Sequence, residues 1–254
     1  MFVSIIITVK NEGKNISELL DSLLVQKPSF EIIIVDAEST DSTQKIVRKY
    51  MDKYENIKLF VKAGSRGEGR NYGVSKSKGD IIVFTDGGCK ADKDWLKNLT
   101  EGFKSGFDVV AGKTIDVGGF SDINRLHVKI DGFDITYPSC NLAYKKELFE
   151  KINGFDKEFV TAEDIDLNFK AVKNNAKIGF SKKAIIYRKS AKNYKELIKQ
   201  SFWYGYGRKQ LSIKHGKLWK NYSLEQMFCT QMKLSGLVRL FFGLIGYTVC
   251  KIQK

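Results

Sequence analysis

The 254-residue sequence predicts an α/β protein: a mainly parallel sheet flanked by helices, followed by a helical C-terminal segment that is basic, aromatic and apolar. Three observations carry this. Short β-branched runs alternate with segments whose apolar residues recur at helical spacing, the pattern of right-handed βαβ crossovers. Two of those runs close on an aspartate. The composition, 43% hydrophobic and 28% charged with two prolines and no repeat or Ser/Pro-rich stretch, is that of one continuous folded body and excludes a disordered chain.

Val3 to Val9 is nearly all β-branched and of strand length, as expected of a strand buried on both faces. It lacks a basic leader and a cleavage site, so it is not read as a signal peptide. Ile16, Leu19, Leu20, Leu23 and Leu24 then repeat at helical spacing, with Pro28 beyond the last turn. Glu31 to Asp36 forms a second strand, Ile46, Val47, Tyr50, Met51 and Tyr54 mark a second helix, and Asn56 to Val61 makes a third strand. Gly64, Gly67, Gly69 and Gly73 fit no phosphate loop ending in Lys-Ser or Lys-Thr and predict a tight loop crossing a pocket, with a short helix after it. Asp80 to Asp86 is again an apolar strand ended by an aspartate. In parallel sheets ligands bind beyond the carboxyl ends of the strands, where Asp36 and Asp86 both stand.

From Asp108 onward the pattern loosens. Asp108 to Val117, Ile178 to Phe180 and Ala184 to Tyr187 are strand-like, and Lys145 to Ile152 and Glu163 to Asn174 are helical. This half completes the sheet and walls the far side of the pocket.

Cys89, Cys140, Cys229 and Cys250 lie far apart with no Cys-x-x-Cys pair, which argues against structural zinc and for reduced thiols in a cytosolic compartment. The net charge of +14 is uneven. Between Ala191 and Lys220 eight basic residues (Lys192, Lys195, Lys199, Arg208, Lys209, Lys214, Lys217, Lys220) face one acidic residue, Glu196, with Tyr194, Phe202, Trp203, Tyr204, Tyr206 and Trp219 interleaved. Such a segment favours an anionic surface. Leu234 to Cys250 is apolar apart from Arg239, flanked by Lys233, Lys251 and Lys254, and at about 17 residues it sits at the lower limit for a span. A span, a helix lying in the membrane plane and a helix packed on the body are all open readings.

Ser4-Ile5-Ile6-Ile7-Thr8-Val9-Lys10-Asn11-Glu12, Ile33-Ile34-Val35-Asp36-Ala37-Glu38-Ser39-Thr40-Asp41-Ser42-Thr43, Gly69-Arg70-Asn71-Tyr72-Gly73, Thr85-Asp86-Gly87-Gly88-Cys89 and Asp94-Trp95-Leu96 follow one another in order. Ser139-Cys140-Asn141-Leu142-Ala143-Tyr144, Asn153-Gly154-Phe155-Asp156 and Glu163-Asp164-Ile165-Asp166-Leu167 continue the series. Any one of these motifs is weak. The ordered set, covering roughly residues 2 to 190, resembles the family 2 glycosyltransferases of the Rossmann-like GT-A fold.

The resemblance implies a glycosyltransferase domain over residues 1–190, divided into a nucleotide-sugar-binding half, 1–118, and an acceptor-side half, 119–190, with 191–254 as the C-terminal segment. It implies that Thr8, Val9, Glu12 and Asp36 hold the nucleobase and ribose, that Arg70 sits beside the base, and that Asp86 lies near the ribose and diphosphate. Gly87, Asn141 and Glu163 join the substrate-binding set. Asp164 becomes the catalytic base of an inverting displacement, in which one carboxylate takes the acceptor proton and no enzyme nucleophile is needed. No second carboxylate stands at a spacing readable as the pair of a retaining hydrolase. Taken alone, Glu163-Asp164 also reads as the start of a helix, and Asp36 with Ser39-Thr40-Asp41-Ser42 as a turn and cap.

Two departures matter. Thr8 and Lys10 stand where the family usually shows a proline and an aromatic, and Asp86-Gly87-Gly88 replaces its Asp-x-Asp. The expected cofactor is a divalent cation, Mg²⁺ or Mn²⁺, with Asp86 as its protein ligand beside diphosphate oxygens and waters. The alternative is that basic side chains take the leaving-group charge. His127 and His215 are either helpers or structural residues.

The function so implied is transfer of a sugar from a nucleoside-diphosphate donor to a glycan, a lipid-linked acceptor or a lipid phosphate. The expected setting is cytoplasmic, peripheral at the inner face of the cell membrane, with an anionic membrane surface as partner and no nucleic acid. A sugar-phosphate nucleotidyltransferase is a second reading, weakened by the absence of a glycine-rich, arginine-containing N-terminal loop ending in Pro-Lys. A non-catalytic basic module is a third, but it leaves the strand-end aspartates unexplained.

Overall fold

The computed structural model describes residues 1–121, 127–216, 218 and 233–250. Lys217, Trp219, Lys220, Cys229, Lys251 and Lys254, named above, lie outside them. The first half runs β1 (Val3–Val9), α1 (Ile16–Leu24), β2 (Phe30–Asp36), α2 (Thr43–Met51), β3 (Ile57–Val61), α3 (Arg66–Ser75), β4 (Ile81–Asp86) and β5 (Cys89–Ala91). The second half adds α4 (Trp95–Lys104), β6 (Val109–Val117), a small hairpin of β7 (Lys129–Ile130) and β8 (Phe133–Asp134), a 3₁₀ turn at Ser139–Asn141, β9 (Leu142–Lys145), α5 (Lys146–Lys151), α6 (Glu163–Lys173) and β10 (Ile178–Lys189). Two helices close the chain, α7 (Tyr194–His215) and α8 (Leu234–Val249).

The strands form one eight-stranded sheet in the order β3-β2-β1-β4-β9-β6-β10-β5. β3, β2, β1 and β4 are mutually parallel, β9 runs antiparallel between β4 and β6, and β10 lies parallel to β6 and antiparallel to β5. The alternation of side chains along β1 explains the two cores. Val3, Ile5, Ile7 and Val9 face α1, α2 and α4, whereas Ile6 joins Ile33, Phe84, Phe155 and Leu167 on the face covered by α3, α5 and α6. Each fully buried aliphatic side chain there contributes about 1.5–3 kcal/mol of transfer free energy.

Three expectations change. The glycine-bearing stretch is helix, not loop: Gly67, Gly69 and Gly73 all lie within α3, which starts on a capping box between Ser65 and Glu68. Glycine is used here for approach. A Cβ on Gly73 would come within 2.6 Å of Ile6 Cγ2, and one on Gly69 within 3.0 Å of Thr8 Cγ2, so α3 lies hard against the end of β1. The two strand-like runs after Ile178 are one strand, β10, with a register shift between Ser181 and Ile185. Tyr54 falls beyond α2, in a turn that stacks its ring on Tyr50.

The C-terminal helices are part of the body. Gly205 of α7 meets the backbone of Gly243, and Gly246 of α8 meets the backbone of Phe202, at distances that leave no room for a side chain on either. On its other side α7 touches Thr161 and Ala162 through Gly207. Lys214 pairs with Asp156 and Asp166, and His215 Nε2 lies 2.6 Å from Asp166 Oδ1. Of the two readings left open for His215, the structural one holds.

Candidate active site

β1, β2 and β4 end level with one another, Thr8 in register with Val35 and Asp86, and Val9 with Asp36. The two strand-end aspartates therefore flank the tip of β1. Above them opens a cleft of about 750 Å³, walled by Arg66 and Arg70, Asp86, the β6 segment Gly112–Asp116, residues 136–140, the start of α6, and Arg188. Gln200, Tyr204 and Arg208 of α7 and Arg239 of α8 close the far wall, with Arg239 over the Tyr204 ring.

The centre is a buried ion triad. Arg70 Nη2 donates to Asp86 Oδ1 at 2.8 Å and Nη1 to Glu163 Oε1 at 2.7 Å, and the Arg70 side chain is only 1% exposed. Its ring neighbour is Phe155, 5.2 Å from the guanidinium carbon. Burial works against the Asp86 charge, but Arg70, with Arg66 and Arg188 behind it, outweighs burial and holds the carboxyl below its ordinary value. Arg70 thus joins two carboxylates from opposite halves of the chain while lining the cleft.

Asp164 is delivered by the turn into α6. Ala162, in the left-handed region at φ 65°, ends the preceding segment, so that Glu163 drops onto Arg70 while Asp164 faces the cleft. Its Oδ2 accepts the Ser139 N–H at 3.2 Å and its Oδ1 the Ile165 N–H at 2.9 Å. Burial, then the charge of Glu163, push its pKa up to about 6 against the Ser139 N–H and Arg70. Asp166, two residues on, points away and is buried against Lys170, Lys214 and His215.

The other expected residues divide. Asp36 is fully buried, its Oδ1 held by the Ser39 N–H and by Gln44 Nε2 and its Oδ2 without a partner among the described residues. Thr8 Oγ1 and Thr85 Oγ1 are likewise buried and unpartnered, so three such oxygens lie at the ends of β1, β2 and β4. Val9 offers no side chain, being packed in the core, and Glu12 accepts from Asn15 Nδ2 at 2.7 Å. Gly87 is required by packing, since a Cβ there would meet Glu12 Cγ at 2.7 Å. None of Thr8, Val9, Glu12 and Asp36 lines the cleft wall. Asn141 is corrected from substrate binding to framework: fully buried, it accepts from Trp95 Nε1 and donates to the Lys113 and Ala184 carbonyls, which uses its amide on the protein.

Sequence reasoning missed Arg66, Ser139, Arg188, Tyr204, Arg208 and Arg239 as wall residues. The Ser65-Arg66-Gly67-Glu68 capping box was a readable signal for the first. The others depend on how β10, α7 and α8 return to the cleft.

The family model described as glycosyl transferase family 2 matches residues 4–165. The chain belongs to that family. It is a glycosyltransferase, and its mainly parallel sheet with flanking helices is the GT-A fold. The family 2 chain is 27% identical over 226 residues to glycosyltransferase AglE of Haloferax volcanii, covering 83% of itself and 74% of that protein. It is 36% identical to a poly(ribitol-phosphate) beta-glucosyltransferase of Bacillus spizizenii over 159 residues, 59% of itself and 24% of that protein. Among solved structures, residues 1–349 of Staphylococcus aureus TarS align with a TM-score of 0.66 at 26% identity, over 97% of this chain and 80% of that one. The Pyrobaculum calidifontis mannosyltransferase PcManGT, solved with GDP-Man and Mn²⁺, shares the fold with a TM-score of 0.68 at 18% identity, over 96% and 73%.

The expected ion has Asp86 as its protein ligand, with diphosphate oxygens and waters completing its shell. An ion held by two carboxylates does not fit: Gly88 has no ligand atom in its side chain, Arg70 already occupies Asp86 Oδ1, and no three His, Cys, Asp or Glu side chains converge among the described residues.

Proposed function

We propose that this family 2 transferase is an inverting enzyme that moves a sugar from a nucleoside-diphosphate donor to a hydroxyl or phosphate oxygen of a glycan or lipid-linked acceptor, with Asp164 as the base. The observation that carries the reading is Asp164 itself, a carboxyl on the cleft wall, oriented by the Ser139 N–H and raised to about 6, close to where a general base works best at neutral pH.

In the reaction the acceptor oxygen attacks the anomeric carbon with a lone pair. The bond from that carbon to the β-phosphate oxygen breaks, its electrons leave on the diphosphate, and Asp164 takes the acceptor proton. Asp36, Thr8 and Thr85, with their unpartnered oxygens at the strand ends, are assigned to the nucleoside. Val9, Glu12 and Gly87 shape that end, and Glu163 with Arg70 positions Asp164. TarS has been solved with UDP at 25% identity to this chain, which supports a nucleotide donor. The Bacillus relative, named for poly(ribitol phosphate), supports a glycan or phosphate-bearing acceptor.

The experiment is calorimetric titration with UDP-, GDP- and dTDP-linked sugars, followed by product stereochemistry with the best donor. Binding of none of them, or retention of the anomeric configuration, overturns the reading.

No described helix is long and apolar enough to cross a membrane. The proposed setting is the membrane surface on the cytoplasmic side, because Leu234, Leu237, Phe241 and Leu244 stand exposed along α8 beside the basic α7. Co-sedimentation with anionic vesicles, unchanged in Leu237→Asp/Phe241→Asp, would remove that part of the proposal.

A further inference from the structure

Gly88 occupies the place of the second aspartate in the family pattern, and its backbone does not demand a glycine. A Cβ there would meet only Glu12 Oε2, at 3.9 Å, an ordinary contact. Residue 88 could carry a Cβ without steric cost, yet carries none. The remaining aspartate, Asp86, is bonded to a guanidinium, so an ion seated on it would share its ligand with a positive charge whose nitrogen lies 2.8 Å from Oδ1.

Two further guanidinium groups converge on this edge of the cleft. Arg188 sits on β10 opposite Cys89, the residue after Gly88, and is braced by Asp116, with Nε to Oδ1 at 2.8 Å and Nη2 to Oδ2 at 3.1 Å. Among the described residues its Nη1 points to nothing stronger than the Cys140 sulfur, 3.8 Å away. Arg66, at the first turn of α3, is 59% exposed and makes only a loose 3.9 Å pair with Glu163. One cation is rigid with a weakly used donor, and the other is free to swing.

We propose that Arg66 and Arg188 hold the donor diphosphate in place of a divalent ion bridged by two aspartates. The inference rests on the reading of the donor as a nucleoside-diphosphate sugar. Guanidinium forks make short, charge-assisted bonds to phosphate oxygens and keep their charge at every working pH. They stabilise the departing diphosphate by the same electrostatics as a metal, Arg188 from a braced position and Arg66 by closing onto it. Arg70 is set apart from this task because its charge is already shared between Asp86 and Glu163, each bonded to one of its terminal nitrogens.

The test is the affinity for UDP, GDP and dTDP, measured by calorimetry in EDTA and in Mn²⁺. The expected result is that the preferred nucleotide binds within about twofold in the two conditions, that Arg66→Gln and Arg188→Gln each weaken it about tenfold, and that Arg66→Lys, which keeps the charge but not the fork, recovers only part of the loss. Binding by the unaltered protein that falls about tenfold in EDTA and returns with Mn²⁺ overturns the inference and leaves the donor reading standing. So does an unchanged affinity in Arg66→Gln, a surface substitution that keeps the test valid even if Arg188→Gln unfolds through loss of the Asp116 pair. Failure of all three nucleotides to bind in either condition overturns both.

Discussion

Arg70 Nη1 and Glu163 Oε1 lie 2.7 Å apart with both side chains almost wholly out of solvent, and this bond ties the helix after β3 to the turn that carries the proposed base. Removing one member of a buried pair strands the charge of the other. Arg70→Met is expected to cost about 3–5 kcal/mol in denaturant unfolding, since Asp86 and Glu163 both lose their partner.

Asp164→Asn keeps the shape of the side chain but cannot take a proton. Transfer should fall by about 10²–10⁴-fold while nucleotide affinity stays within about twofold, read from kcat and from calorimetry. Undiminished turnover would remove Asp164 from the base role.

The raised carboxyl of Asp164 sets a pH dependence of both rate and stability. Below about pH 6 it is protonated, so kcat/KM should fall on an acid limb near that value. For stability the folded chain holds this proton more tightly than the unfolded chain. The contribution is therefore full below the ordinary carboxyl value of 3.8 and is lost as pH rises through about 6. Asp164→Asn should consequently be more stable than the unaltered protein near pH 8, by on the order of 3 kcal/mol, with the difference shrinking toward about pH 4 in thermal melts.

Gly205 and Gly243 meet, yet they should respond differently to alanine. A Cβ on Gly205 would lie 1.8 Å from the Gly243 carbonyl oxygen, so Gly205→Ala must part α7 from α8 at a cost of about 1–3 kcal/mol. A Cβ on Gly243 would meet only the Ser201 carbonyl oxygen at 3.6 Å, so Gly243→Ala should be neutral or stabilising by up to about 1 kcal/mol. Limited proteolysis of α8 reads the difference: faster cleavage is expected in the first variant alone.

Gly88→Asp restores the missing carboxylate at a position with room for its Cβ. Nucleotide affinity should become stronger in Mn²⁺ than in EDTA by about tenfold, measured by calorimetry, because two carboxylates can then share one ion.

Much of the first half was legible because its signals are local. The apolar run Val3–Val9, the stripe Ile16, Leu19, Leu20 and Leu23, and the runs ending at Asp36 and Asp86 each report their element without reference to the rest. Gly67, Gly69 and Gly73 misled because glycine permits both a tight loop and a close helix contact. The choice was made by Ile6 and Thr8 on β1, far away in sequence. Asn141 misled because a motif names a residue type and not the direction of its side chain. Only the packed Trp95 and the carbonyls of Lys113 and Ala184 show that its amide is already used.

By itself the sequence determined the βαβ order, the aspartates at the strand ends, the start of α6 at Glu163-Asp164 and the absence of a carboxylate at residue 88. These follow from periodicity and residue chemistry within a few positions. Tertiary structure alone decided that Arg70 would bridge Asp86 to Glu163, that Ser139 would orient Asp164, and that α7 and α8 would bring Arg208 and Arg239 to the same cleft. The physical reason is common to all three. A buried charge or donor takes whichever partner the folded chain brings within hydrogen-bond reach, and no local pattern encodes that partner.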